Sequence, residues 1–320
     1  MLAVYPPSAA HHEPTPHGGA VWLDLVSPSE AEARLIEDHT GLTLPSEAEL
    51  SEIEPSARLS FTGGLLRLSV PIIAKADTDH PSLSHVGLVL TPKLLISVRR
   101  EPLRVFQAVA KTVSEAGEAA TSVEVFVSLM EAYAGRQADL LESARGRLDQ
   151  ISHRAFRPAP TDRRRIKRSN VLMRERLQLL GRIAERTSII REGLLGVDRA
   201  ILFTLETAKA WFSPELTSRL KTVRDDIASL SQFEEHLLAK VQFLLDAVLG
   251  FISIEQNDIF KVLTIASVVG IFPTLMAGWY GMNFQHMPEY AWRYGYQYGI
   301  TVIVGSAIVP LLWFKWRGWL

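Results

Sequence analysis

Tyr280-Gly281-Met282-Asn283-Phe284 closes an uncharged run whose last preceding charge is Lys261. From Val262 to Tyr280 the run is nineteen residues long, enough to cross a bilayer core of roughly 30 Å as a helix. A second uncharged run, Tyr294 to Phe314, has twenty-one residues and meets the same criterion. A short polar turn, Gly281 to Arg293, joins the two. Two spans with a short connection make a hairpin whose flanking ends share one side of the membrane. The chain therefore reads as a large polar body feeding a small membrane part.

Working back from the first span, Ser213-Pro214 is an N-cap followed by Pro at the first helical position. No proline follows until Pro273. Leu216, Leu220, Val223, Ile227, Leu230, Leu237, Val241, Leu244, Val248 and Phe251 recur at spacings of mostly three and four, a packing stripe. A helix unbroken from Pro214 to Tyr280 holds 67 residues and is roughly 100 Å long at 1.5 Å per residue. About a third of that crosses lipid. The remainder is a cytoplasmic stalk, which either transmits movement or holds an oligomer together. Further along, Asn257, Phe260, Leu263 with Thr264, Ser267, Ile271, Thr274, Gly278 and Gly281 share one stripe. It mixes small, polar and apolar residues, unlike a uniform lipid face. Such a stripe either lines a water-filled path or lets helices pack closely through Gly and Ser.

Composition narrows the rest. A length of 320 residues suggests two domains. Charged residues make up 22% and the net charge is −1, which offers no nucleic-acid footprint. The absence of cysteine excludes disulfides, thiolate metal sites and cysteine catalysis. No nucleophile triad, P-loop or His/Glu metal motif is present, so neither an enzyme nor a cofactor is expected. Met1 to Pro16 lacks the basic and apolar regions of a secretory signal, which places the first domain in the cytoplasm. Lys315 and Arg317 keep the tail there by the positive-inside bias, and Arg293 on the opposite side is offset by Glu289.

Taken in order, residues 1 to 19, with His11, His12 and His17, read as a loose tail. Val21 to Leu25 alternates as a strand, and Ser27-Pro28-Ser29-Glu30 opens a helix with Ser27 as N-cap and Glu30 completing a capping box. Strands are predicted at Leu65 to Ile73, His85 to Leu90 and Leu94 to Val98, with a hairpin turn at Gly63-Gly64. Residues 1–104 thus form a cytoplasmic α/β domain and 105–213 a helical region. The latter has helices at Leu103 to Glu115, Ser122 to His153 and Asp162 to Phe212. The basic run Arg163 to Arg168 reads as a solvated helix start or a face for lipid head groups. Residues 214–261 are the stalk and 262–320 the transmembrane hairpin, an α+β membrane protein.

Tyr280-Gly281-Met282-Asn283-Phe284, followed by Met287-Pro288-Glu289 and a basic-aromatic tail, resembles the signature of the CorA family of divalent cation channels. Glu52 to Arg58 and Leu94 to Arg99 resemble the amino-terminal domain of its enteric magnesium branch. The resemblance implies a homopentameric funnel in a bacterial inner membrane, with both termini cytoplasmic and the first span innermost. It makes Gly281, Met282 and Asn283 an outer selectivity filter for hydrated Mg²⁺, with Co²⁺ and Ni²⁺ also carried. Rings of Asn257, Thr274 and Asn283 would offer oxygens, and Phe260, Leu263 and Ile271 apolar constrictions. An amide ring suits an ion that sheds water reluctantly, whereas the Met282 thioether is too soft to ligate it. Glu289 would concentrate cations at the outer mouth. Regulation by cytoplasmic Mg²⁺ is implied, with Asp225, Asp226, Asp77 and Asp79 as candidate ligands on an otherwise solvated acidic face.

Two departures stand out. Gln285 occupies a position commonly acidic in the family, and the tip between the middle helices is basic rather than acidic. The second departure bears on any charge pairing with the basic ring of Lys315 and Arg317. Two other readings are a proton-coupled Zn²⁺ transporter of the ZntB type and a non-conducting membrane-anchored scaffold. The ZntB loop typically departs from Gly-Met-Asn-Phe and lacks Met-Pro-Glu, both present here.

Overall fold

The computed structural model describes residues 1–6, 19–50, 58–76, 78, 81–117, 120–156, 166–282 and 287–319. It divides into two compact units, Met1–Arg165 with Arg174–Leu245, and Ile166–Met173 with Asp246–Leu320.

The first unit opens with a six-stranded sheet in the order β1-β2-β6-β5-β4-β3. Its strands are β1 Leu2–Tyr5, β2 Trp22–Val26, β3 Leu59–Thr62, β4 Leu65–Ala74, β5 Ser82–Leu90 and β6 Leu95–Arg99. All neighbours are antiparallel except β2 and β6, which run parallel. Helix α1 (Glu30–Thr40) and the short α2 (Glu47–Leu50) cover one face. There Leu2, Val4, Leu23, Leu25, Val89, Ile96 and Val98 bury against Ile36, Leu44 and Leu50. Gly87 on β5 is required for this closeness, because a Cβ there would overlap Pro45 and Leu50 side chains. Against the sheet also pack α3 (Arg104–Ala116) and α4 (Ser122–Ala155), and the Trp22 and Phe106 rings lie 6.1 Å apart.

A buried charge pair ties the parallel strands together. Arg99 on β6 donates from Nε and Nη2 to the two carboxylate oxygens of Asp24 on β2, at 3.0 and 2.7 Å. Ser97 Oγ donates to Asp24 Oδ1 at 2.7 Å and accepts from Trp22 Nε1 at 2.9 Å. Arg99 Nη1 reaches the Glu101 carbonyl, and the guanidinium sits over the Phe106 ring.

Several sequence expectations change here. Leu2–Tyr5 is not loose tail but an edge strand, held because Leu2 and Val4 alternate into the core. The three histidines of that tail lie outside the described residues. The N-cap of α1 is Ser29, whose partner is Glu32, not Ser27 with Glu30. Ser27 instead adopts φ 43 and donates its hydroxyl to the Arg100 carbonyl, anchoring the turn that Pro28 enters. Ser29 and Glu32 then satisfy each other's backbone N–H groups reciprocally. β3 was not foreseen; Gly63 and Gly64, both at positive φ, turn it into β4.

Three long helices follow. α5 spans Ile166–Thr207 and gives way to a 3₁₀ turn at Lys209–Trp211, short of the expected Phe212. α6 runs unbroken over Pro214–Tyr280, 67 residues. Its apolar stripe is buried at Leu216, Leu220, Val223, Ile227, Leu237, Val241, Leu244 and Val248. Ion pairs flank it: Arg219 clasps Glu131 through two bonds of 2.8 and 2.6 Å, Lys240 pairs with Asp149, and Arg224 with Asp198 at 3.1 Å. Glu131 holds the Arg219 guanidinium above its usual range, and the Lys240 contact holds the Asp149 carboxyl below its own.

One stripe position is not apolar. Glu234 fills the slot between Leu230 and Leu237 with its side chain 0% exposed. Both its carboxylate oxygens lack hydrogen-bond partners among the described residues, and the nearest guanidinium, of Arg191, stands 3.8 Å away. Burial pushes this carboxyl up from the ordinary carboxylate range, against the pull of Arg191.

Candidate functional site

The second unit holds the last part of α6, a 3₁₀ turn at Pro288–Ala291, and α7 over Gly295–Trp316. Both helices are long and apolar enough to cross a membrane. Aromatic side chains mark the ends of α7: Trp292, Tyr294, Tyr296 and Tyr298 at one end, Trp313, Trp316 and Trp319 at the other, all substantially exposed. From Tyr296 to Trp316 is twenty-one residues, roughly 30 Å of helix, one hydrocarbon thickness. Amphipathic rings at both interfaces of such a segment are the mark of a spanning helix.

Within this unit the two faces of α6 differ. Asn257, Phe260, Leu263, Thr264, Ser267, Ile271, Thr274 and Gly278 are all exposed, and Gly281 continues the row. The opposite stripe, Lys261, Ile265, Val268, Val269, Pro273, Met276 and Tyr280, is buried or half-buried. The predicted stripe therefore lies on the part of the helix turned away from the side that packs within the chain, where Val262, Phe272, Leu275 and Trp279 are exposed as well. Phe260, Leu263 and Ile271 are 64%, 60% and 55% exposed, large apolar groups that a single chain leaves uncovered.

Local chemistry positions several of these groups. Pro273 has no N–H and cannot complete the helical ladder. One residue on, Thr274 Oγ1 donates to the Gly270 carbonyl at 2.8 Å, leaving its hydroxyl oxygen as an acceptor on the exposed face. The helix closes where Gly281 N–H bonds Ala277 and Gly278 carbonyls at 2.9 and 3.2 Å, and Met282 N–H reaches Trp279. Gly281 does not adopt a left-handed φ. Its constraint is space: an added Cβ would sit 3.3 Å from the Ala277 carbonyl oxygen. Asn283 and Gln285 lie outside the described residues.

The remaining candidates are scattered. Asp225 and Asp226 are exposed on α6, and Asp77 and Asp79 lie outside the described residues. Among the described residues no cluster of three or more acidic or histidine side chains is arranged to hold a metal ion. Lys315 and Arg317 are exposed past the end of the second span, with Arg317 5.6 Å from the Trp313 ring centre. Glu289 is half-buried and shares a cleft with Arg293. Neither that cleft nor Glu234 is singled out by a sequence motif. The unfilled slot in the three-four repeat was the available signal for Glu234.

Comparison with known proteins agrees with this architecture. The family described as CorA-like Mg2+ transporter protein matches residues 17–316. The chain is 32% identical over 317 residues to a magnesium transport protein CorA of Haemophilus ducreyi, covering 98% of this chain and 96% of that one. It superposes on the complete CorA magnesium transporter of Methanocaldococcus jannaschii with TM-score 0.77 at 15% identity, covering 93% and 91% of the two chains. The ZntB cytoplasmic domain of Vibrio parahaemolyticus shares the fold more distantly, with TM-score 0.52 at 14% identity over 72% of this chain and 87% of that one. With a family match over nearly its whole length and a relative above 30% identity, the chain belongs to the CorA-like Mg2+ transporter family.

Proposed function

We propose that the chain assembles as a homopentameric channel for influx of hydrated Mg²⁺, and of Co²⁺ and Ni²⁺, across a bacterial inner membrane, with both termini cytoplasmic. The observation that carries this reading is the exposed stripe on α6. It is a spanning helix whose exposed surface carries a row mixing oxygen-bearing and apolar groups up to Gly281, followed in sequence by Met282-Asn283, in a chain of a magnesium-transporter family. Two helices cannot enclose a path, so the row becomes a pore lining only when copies surround an axis. Asn257, Thr274 and Asn283 then present rings of neutral oxygens to the waters Mg²⁺ retains, and Phe260, Leu263 and Ile271 narrow the path where dewetting can close it. Neutral amides at the filter allow release, where carboxylates would hold the ion.

Closure by cytoplasmic Mg²⁺ follows the same logic. Asp225 and Asp226, exposed on α6, with Asp77 and Asp79 in the soluble domain, are its candidate ligands between neighbouring copies. Asn283→Ala tests the filter. Mg²⁺ uptake by liposomes carrying the variant should fall to the level of protein-free liposomes while the oligomer stays intact by size exclusion. Wild-type uptake by that variant would remove Asn283 from the filter.

A further inference from the structure

A cleft of about 470 Å³ opens beside the outer turn, in the second unit. Its rim carries Glu289 and Arg293, its wall is Trp292, and its floor continues along α7 as Gly299, Ile300 and Ile303. The volume lies in the usual range for a small-molecule site. Three features define what fits. First, the rim presents a carboxylate and a guanidinium together, and these two do not pair with each other among the described residues. Second, polarity falls along the cleft: charges at the turn, then aromatic groups, then isoleucines. Ile303 is eight residues past Gly295, roughly 12 Å deeper along the helix. Third, the cleft opens within the aromatic collar of Trp292, Tyr294 and Tyr296, the level of lipid head groups. Gly299 has no atom within 4 Å of where a Cβ would stand, so the floor is open to a chain.

We infer that this cleft seats a zwitterionic phospholipid with a primary-ammonium head group, its ammonium on Glu289, its phosphate on Arg293 and its first acyl carbons over Gly299 and Ile303. A primary ammonium has three N–H donors for the carboxylate, and a guanidinium matches phosphate oxygens in a bidentate manner. A quaternary ammonium has no N–H to give, and an anionic glycerol head group offers Glu289 only neutral hydroxyl donors, without the opposite charge. The inference reassigns Glu289 from cation capture at the outer mouth to lipid binding. It rests on the two spans crossing a bilayer, but not on the path through the oligomer conducting.

The test is native mass spectrometry of the full chain, released from detergent after exchange with phosphatidylethanolamine, phosphatidylcholine or phosphatidylglycerol, with no transport assay involved. Wild type should retain phosphatidylethanolamine about tenfold better than the other two, the worth of one charge-assisted hydrogen bond. Arg293→Gln should lower retention of all three, Glu289→Gln should abolish only the preference for phosphatidylethanolamine, and Gly299→Leu should block the cleft. Equal retention by wild type and all three variants overturns the assignment. So does a preference for phosphatidylglycerol. Because the chain has no cysteine, Gly299→Cys adds a clean control. Ready disulfide cross-linking between copies at that position would show the cleft covered by a second chain, which also overturns it.

Discussion

Arg99→Met removes the charge from one side of the buried pair while keeping a long apolar stem. The Asp24 and Arg99 side chains are each 5% exposed, so water cannot replace what is lost. The variant deletes both guanidinium bonds to the carboxylate and the bond to the Glu101 carbonyl, leaving Asp24 with the Ser97 hydroxyl. Stranding a buried charge in this way costs about 3–5 kcal/mol. For a unit of this size, about 2–4 °C of Tm goes with each kcal/mol, so the midpoint should fall by on the order of 10 °C. The assay is thermal unfolding of the full chain in detergent, at one scan rate for all variants. The double variant Asp24→Leu/Arg99→Met removes both charges and should recover most of the loss, since an apolar pair replaces a buried ion pair at little cost. A single variant within about a degree of wild type would refute the reasoning, as would a double variant worse than the sum of the singles.

Glu234→Gln should stabilise the chain at neutral pH by about 1–3 kcal/mol, because it removes a buried, unbonded ionisable group. The sign of the pH effect follows from the raised folded pKa. Below the unfolded carboxylate value, near 4.5, both states are protonated and burial costs no ionisation. As pH rises from there through the raised folded value, wild-type stability falls. The gap between variant and wild type, read by denaturant titration at several pH values, should therefore narrow toward pH 4; a constant gap would contradict it. Gly87→Val should lower Tm by several degrees through collision with Pro45 and Leu50, and an unchanged melting curve would show that the α2 segment yields freely.

Particular residues show what the sequence makes legible. The break in charge at Lys261 and the uncharged row after it locate α6 because length and polarity alone decide that a segment can cross lipid. The three-four repeat from Leu216 to Val248 is legible for the same kind of reason: the helical period is local. Asp24 and Arg99 are 75 positions apart and meet only because β2 and β6 pair in parallel, which no local pattern encodes. Leu2 and Val4 were passed over because the prolines and glycines after them dominate the composition of that segment, although the two residues alternate as a strand should. Ser27 and Ser29 both satisfy the rule for an N-cap, and the choice between them turned on a hydrogen bond to Arg100, again distant in sequence. The stripe on α6 was legible as a face. Its exposure was not, since that depends on what the opposite face packs against.

Mg²⁺ conduction is read most directly as ion flux into liposomes carrying the purified full chain, with Mg²⁺ and Zn²⁺ supplied separately and a pH reporter inside. A channel for hydrated Mg²⁺ should give Mg²⁺ uptake without accompanying proton movement. Zn²⁺ uptake coupled to protons, or no flux of either ion through an intact oligomer, would contradict it.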